Sequence, residues 1–348
     1  MATSPFPATS SQPGLGKVTT ALQPGTSHTV LSECSYTYPL KLISPSASSP
    51  HSALLFLLSY GGGLISGDHI ALTIHLVPST RLSIVTQGHT KVYPVTSPEI
   101  VTSQELDVVI GKDAALCLLP DPVQPWKGSR YRQKQVFRMA EGASLALLDW
   151  VSAGRTARGE EWEFVEWKGR NEIRLGGSGE GGDGKGTTDR LLLRDNLILN
   201  GDIGKGGLPL GRAAHGASIF GTLILRGPLV ASLSAFFLDE FGKMPRIGAR
   251  DFRSPAEIAA AYDNTSFSTQ GASEAAPTES LETWRLRRQA QEKADGVLWS
   301  AATVRGCTVV KFCSRTVEGA RHWVGEMVLR EESIIDEFGE DAVMCIRP

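Results

Sequence analysis

The sequence predicts a mainly β protein built as one large domain. Three observations carry this expectation: 37 glycines in 348 residues without a collagen repeat, apolar residues alternating over short runs, and helical periodicity that is sparse and late. A length of 348 residues allows about two domains at ~150 residues each. No change of composition marks a boundary, so a single domain over 28–348 is preferred.

Residues 1–27 are rich in Ser, Thr, Pro and Gly with few apolar anchors, and read as a flexible leader. From Thr29 the chain becomes apolar and β-like. Ile70, Leu72, Ile74 and Leu76 share one face of a strand, and Arg81 to Thr86 alternates again after the turn residues Pro78-Ser79-Thr80. The two runs together predict a hairpin. Ala114 to Leu119, Gln133 to Met139 and Ser144 to Leu148 follow as strands. Glu161 to Trp167 reads as another, with a bulge to reconcile the opposite parities of Trp162/Phe164 and Val165/Trp167. Leu191 to Leu193, Leu197 to Leu199, Ala217 to Leu225 and Leu229 to Leu238 complete this series.

Helical signals come later. Ser254-Pro255 opens a short helix towards Tyr262, and Glu279 to Ala294 is polar and helix-favouring. A strand pair at Leu298 to Val304 and Cys307 to Ser314 precedes an amphipathic helix. Val317, Ala320, Arg321, Val324 and Val328 form its stripe, with Trp323 at the edge. Two segments, 176–189 and 264–295, read as flexible insertions.

Composition excludes several classes. The formal charge of −2 and pI near 6.4 give no basic field for a polyanion, so nucleic acid is not the expected partner. The longest apolar block, Ala53 to Leu58, is far short of a membrane span of ~20 residues. The N-terminus lacks the basic and apolar regions of a secretory signal. Five cysteines without a Cys-x-x-Cys pair suggest reduced thiols, and the cytosol is the expected compartment.

Catalytic motifs are missing or broken. Gly179 and Gly184-Lys185 have phosphate-loop spacing, but Gly186 stands where Ser or Thr would hold magnesium. Gly204-Lys205-Gly206-Gly207 puts Pro209 where a dinucleotide fingerprint needs glycine. Ser66 sits in Leu64-Ile65-Ser66-Gly67-Asp68, a turn and not a nucleophile elbow. His69 and His75 are six residues apart, roughly 20 Å along a strand, too far to share an ion. The residues alone do not describe an enzyme. Asp68, Gln87, Lys91, Arg155 and Glu160 do stand out as polar groups in apolar, strand-like surroundings. They read either as ion pairs fixing turns or as a polar interior path or docking surface.

Four ordered blocks resemble the urease accessory protein D family, called H in some bacteria. They are Gly61-Gly62-Gly63-Leu64-Ile65-Ser66-Gly67-Asp68, Thr86-Gln87-Gly88-His89-Thr90-Lys91-Val92-Tyr93, Leu119 to Trp126 with Tyr131-Arg132-Gln133, and Gly154-Arg155-Thr156-Ala157-Arg158-Gly159-Glu160. The resemblance covers roughly residues 30 to 240, and the tail after Leu298 is also similar. Val85 and Gly88-His89 depart from the usual residues of the second block.

The resemblance implies an elongated, β-helix-like stack of strands with a few helices, mostly in the C-terminal third. It also implies a non-enzymatic scaffold and nickel-transfer chaperone. Its expected partners are accessory protein F, the GTPase accessory protein G through F, and apo-urease. No cofactor is expected to be held tightly, and nickel would be in transit through an internal tunnel. Asp68, Glu160 and His89 would offer passing ligands, Lys91 and Arg155 would balance the carboxylates, and Gln87 would belong to the same path. Gly62, Gly63 and Gly67 are expected at positive φ, Gly154 and Gly159 around a turn, and Thr86, Tyr93 and Pro120 as structural members of the blocks. The alternative is a β-helical hydrolase using paired carboxylates as acid and base.

Overall fold

The computed structural model describes residues 12–176, 189–201, 208–244 and 279–347. Strands dominate it and form two mixed sheets. The first sheet contains β1 (Leu15–Leu22), β2 (Thr29–Tyr36), β6 (His69–Leu76), β9 (Thr102–Ile110), β12 (Arg130–Met139), β14 (Glu166–Leu175) and β15 (Arg190–Asn200), in the order β15-β14-β12-β9-β6-β1-β2. The second contains β3 (Leu40–Ile43), β4 (Ser52–Ser59), β7 (Arg81–Val85), β10 (Ala115–Leu118), β13 (Ser144–Ser152), β16 (Ile219–Arg226), β17 (Leu298–Val304) and β18 (Cys307–Ser314). Its order is β17-β18-β16-β13-β10-β7-β4-β3, and β5 (Gly63–Leu64), β8 (Thr90–Val92) and β11 (Val123–Pro125) extend it at one side.

From β6 to β14 the longer strands alternate between the sheets, and neighbours within each sheet run parallel. This corrects the expected hairpin. The strands at 69–76 and 81–85 lie in different sheets, because each must turn its apolar face to the same core from opposite sides. Thr80, buried in the turn between them, bonds Thr20 Oγ1 at 2.7 Å. Antiparallel pairs close the flanks, as in β1–β2 and β14–β15.

Period-two alternation builds two cores. In β13, Leu145, Leu147 and Val151 point between the sheets, whereas Ala146, Leu148 and Trp150 face a helical layer. All nine residues of β13 are therefore buried, as expected of a strand covered on both faces. The helical layer contains α2 (Ala231–Gly242), α3 (Leu281–Asp295), α4 (Val317–Glu331) and α5 (Ser333–Phe338); a short helix, α1 (Leu210–Ala213), precedes it in the chain. Among the described residues, no helix is long and apolar enough to cross a membrane.

Further expectations are corrected. Part of the supposed leader is β1, which pairs with both β2 and β6 and buries Val18 and Thr20. Residues 229–238 are helical, not a strand. Val230, Leu233, Phe237 and Glu240 recur at spacings of three and four and are buried, the three apolar ones in the core that covers the second sheet. The strand expected at 161–167 begins only at Glu166; Trp162 takes φ 57° and still enters the core, donating from Nε1 to Ala217 O at 2.8 Å. The irregularity that β14 does carry is a register shift against β15 at Ile173/Arg174, outside the segment where a bulge was expected.

The last correction concerns 264–295, whose described end is α3 and not a flexible insertion. Ser280 caps α3 by accepting from Thr283 N, and Gly296 ends it at φ 63°. Arg288 and Glu292 are buried in its packed face, together with Trp284. In α4, Trp323 is fully in the core and not at the edge, while Arg321 turns from the stripe to an acidic partner. The helix expected after Ser254 and the glycine loops at 177–188 and 202–207 lie outside the described residues.

Candidate functional site

The strands β12, β13 and β14 place a polar group inside the first core. Inward parity puts Tyr131, Gln133, Gln135 and Phe137 on one side, with Asp149 facing them from β13 and Asn171 from β14. Asp149 accepts from Gln133 Nε2 at 2.8 Å and from Asn171 Nδ2 at 2.7 Å. Gln135 Nε2 donates in turn to Asn171 at 3.0 Å. Burial pushes the Asp149 carboxyl above its ordinary range, against the two amide bonds that favour its charge. Both amides are neutral, and the charges that act on the group from further off are Asp195, which raises its pKa, and Lys311, which lowers it.

Of these, Gln133, Gln135 and Asp149 line a small cavity of about 40 Å³, with Thr86, Thr90, Gln104 and Asp121 also on its wall. That volume holds about two or three water molecules. Two surface hollows adjoin it. One, of about 210 Å³, is bounded by Lys41, Tyr60, Gly61, Gly62 and Gln87 to Thr90; the other, of about 630 Å³, by His89, Lys91, Arg321, Met344 and Cys345. Thr86 belongs to the wall of all three.

A compact bond set holds that wall. Thr86 Oγ1 donates to Asp121 Oδ2 at 3.0 Å and accepts from Asp121 N at 2.7 Å. Gly88 N donates to the same carboxylate oxygen at 2.9 Å, and Arg321 reaches Oδ1 at 2.9 Å. Cys345 donates its thiol to Thr86 O at 3.4 Å; burial is the main reason its pKa is pushed up to about 12. The thiol is therefore a poor metal ligand at neutral pH. His89 is shifted down by burial, with Asp121 resisting and Arg321 assisting, so a neutral imidazole faces the larger hollow.

The six polar residues singled out in the sequence are not interior, which corrects that expectation. Gln87, His89 and Lys91 lie at the hollows around Thr86. Asp68 is half-buried and accepts from Ile65 N at 2.9 Å, closing its own turn. Arg155 and Glu160 pair with each other at 2.8 Å, and Arg155 stacks on Trp126 at 3.8 Å. Five of the six stand in turns between strands, where apolar flanks do not mean burial, and Lys91 is a half-buried member of the short strand β8.

The glycine expectations hold at Gly62, Gly67, Gly154 and Gly159, all at positive φ. Gly63 is extended instead, and its role is close approach: a Cβ there would lie 2.8 Å from Lys91 O. Tyr93 packs edge-on to Trp126, and Pro120 O accepts from Trp150 Nε1 at 2.8 Å.

Sequence reasoning missed Gln133, Gln135, Asp149, Asn171, Asp121 and Arg321. A signal existed for Asp149, an acid inside the run Leu145-Ala146-Leu147-Leu148-Asp149-Trp150-Val151, and for the inward parity of Gln133 and Gln135. Among the described residues, no group of three or more His, Cys, Asp or Glu is arranged to hold a metal ion. The arrangement offers scattered oxygen donors and one imidazole.

Comparison with known proteins gives this geometry a context. An uncharacterized urease accessory protein ureD-like of Schizosaccharomyces pombe is 30% identical over 306 residues, covering 86% of this chain and 88% of that protein. Urease accessory protein UreD of Anaeromyxobacter is 34% identical over 241 residues, covering 69% and 74%. Urease accessory protein D of rice is 30% identical over 239 residues, covering 68% and 72%. The model of the UreD urease accessory protein family matches residues 14–340. The chain therefore belongs to the UreD urease accessory protein family.

Proposed function

We propose that this chain acts in urease maturation as a non-catalytic scaffold and nickel-transfer chaperone. In this reading it binds accessory protein F, reaches the GTPase accessory protein G through F, contacts apo-urease, and supports GTP-dependent insertion of nickel. Family membership supports the role in maturation. The finer reading rests on one observation: a small cavity carrying Asp149, Gln133, Gln135 and Asp121 on a largely apolar wall shares Thr86 with two surface hollows.

Nickel(II) is here cargo. A path for it needs oxygen or nitrogen donors that bind briefly, because a closed ligand set would trap the ion. Asp121 already spends its charge on Arg321, Thr86 and Gly88, whereas Asp149 is held only by amides. Asp149 is thus the acid with no cation in contact, and a passing cation would favour the ionised form that burial disfavours. Gln87 and His89 would offer donors at the rim, and Lys91 would keep that rim from becoming a sink.

The test is nickel-dependent activation of urease with all accessory proteins present, comparing wild type with Asp149→Asn and Thr86→Val. Expected are lowered urease nickel content and activity, with co-purification of F, G and apo-urease retained. Full activation by both assembled variants would overturn the conduit. Failure of the wild-type chain to co-purify with F would overturn the scaffold.

A further inference from the structure

The outer face of the first sheet carries cations in an unfavourable arrangement. Register places Arg132 of β12 directly beside Lys168 of β14, and Lys134 directly beside Arg170. Like charges opposite one another across strands destabilise a sheet. Two of the compensating carboxylates lie deeper, while Glu105, the partner of Lys134, is as exposed as the lysine. The side chains of Glu166 and Glu172 are 14% and 2% exposed, whereas those of Arg132, Lys134, Lys168 and Arg170 are 37–51% exposed. Glu166 is shared by Arg132 and Lys168, and Glu172 by Arg170, Arg174 and Arg194. What reaches solvent is a two-by-two array of positive groups with Glu105 at one edge, beside Lys134.

The array borders an open groove of about 600 Å³, whose far side carries Asn196 and the exposed Ile198 of β15. Successive outward residues on a strand are ~6.6 Å apart, the same repeat as alternate side chains of an extended peptide. The geometry points to this groove as a docking site for an extended acidic segment of a partner protein. Its carboxylates would meet Arg132, Lys134, Lys168 and Arg170, and an apolar side chain between them would cover Ile198. Charge complementarity selects the occupant. Glu105 and Glu166 interrupt the positive field, which suits spaced carboxylates better than the continuous charge of a nucleic acid, and Ile198 has no use for a phosphate backbone.

The test measures binding to the full chain of a short fluorescein-labelled peptide of alternating glutamate and threonine with one central leucine. The matching glutamine peptide and a single-stranded oligonucleotide of equal charge are the comparisons. The double variant Arg132→Gln/Lys134→Gln leaves the Glu172 cluster intact; Lys112→Gln changes an exposed lysine elsewhere, and circular dichroism checks that both fold. Expected is preference for the glutamate peptide, lost with added salt and weakened about tenfold by the double variant but not by Lys112→Gln. Equal binding of the glutamine peptide, an unaffected double variant, or tighter binding of the oligonucleotide would each overturn the inference.

Discussion

Arg321 and Asp121 are separated by 200 residues and meet at 2.9 Å, joining α4 to the loop after β10. The same carboxylate holds Thr86 and Gly88, so one ion pair fixes the wall between the interior cavity and the larger hollow. A C-terminal helix thereby sets the geometry of a site whose other members lie in the first half of the chain.

Removing either support of Asp121 should loosen that wall. Thr86→Val deletes one donor to the carboxylate and strands Asp121 N, at a cost of about 1–3 kcal/mol in urea unfolding. Arg321→Ala should lower stability by a similar amount, because Asp121 stays buried with its charge less compensated. Cys345, protected in the native protein, should then react faster with a thiol reagent. Unchanged unfolding midpoints and thiol rates in both variants would contradict this account.

Two carboxylates should give opposite pH signatures. Burial pushes Glu172 up, but bonds from Arg174 and Arg170 outweigh it and hold the group at about 2, below its ordinary 4.5. Its contribution is present above about 4.5 and is lost as pH falls towards 2, amounting to about 2–3 kcal/mol. Asp149 is shifted up from 3.8, so it works against stability progressively as pH rises above 3.8 through its folded value. Unfolding measured against pH should therefore show the acid-side loss reduced in Glu172→Gln. Asp149→Asn should remove a decline on the other side.

The charged face of α3 should matter more than its polar sequence suggests. Arg288 is 1% exposed between Glu240 and Glu292, with its guanidinium over Trp284 at 5.2 Å and Trp299 at 5.7 Å. Arg288→Ala leaves buried acids short of a counter-ion and is expected to cost about 3–5 kcal/mol. Equilibrium denaturation monitored by tryptophan fluorescence would detect it, since Trp299 and Trp323 both donate to Glu292. A midpoint within error of wild type would mean that α3 is dispensable to the fold.

Glycine substitutions should separate conformational need from space. Gly67 sits at φ 85°, so Gly67→Val should destabilise by at least about 1–2 kcal/mol through backbone strain. At Gly63 the backbone is extended and the obstacle is Lys91 O, 2.8 Å from a new Cβ. Gly63→Ala should therefore disturb the β5–β8 pairing, read as faster amide exchange at Leu64 and Val92. A soluble, equally stable Gly67→Val protein would refute the turn geometry.

Local chemistry determined much of this protein. Alternation at 70–76 and 133–139, turn residues between short strands, and the apolar stripe of α4 are properties of neighbouring side chains, and each appears in the structure. The family blocks were legible for the same reason, being short runs of contiguous residues. Partnership was not legible. Whether 70–76 paired with 81–85 depended on which sheet could cover its apolar face, and the supposed leader became a strand because β2 and β6 offered it two edges. The helix at 231–242 likewise took its period from the second core.

The candidate site belongs to this second category. Gln133, Asp149 and Asp121 come from two strands and a loop, and only the stacking of two sheets brings them around one cavity, where Asn171 of a third strand and Arg321 of a late helix hold the two acids. Burial and charge compensation are set by what lies across the core, not by the next residue along the chain. The sequence by itself therefore determined many of the strands, the turns between them and the family. Tertiary structure decided which polar residues are inside, because only packing removes their water.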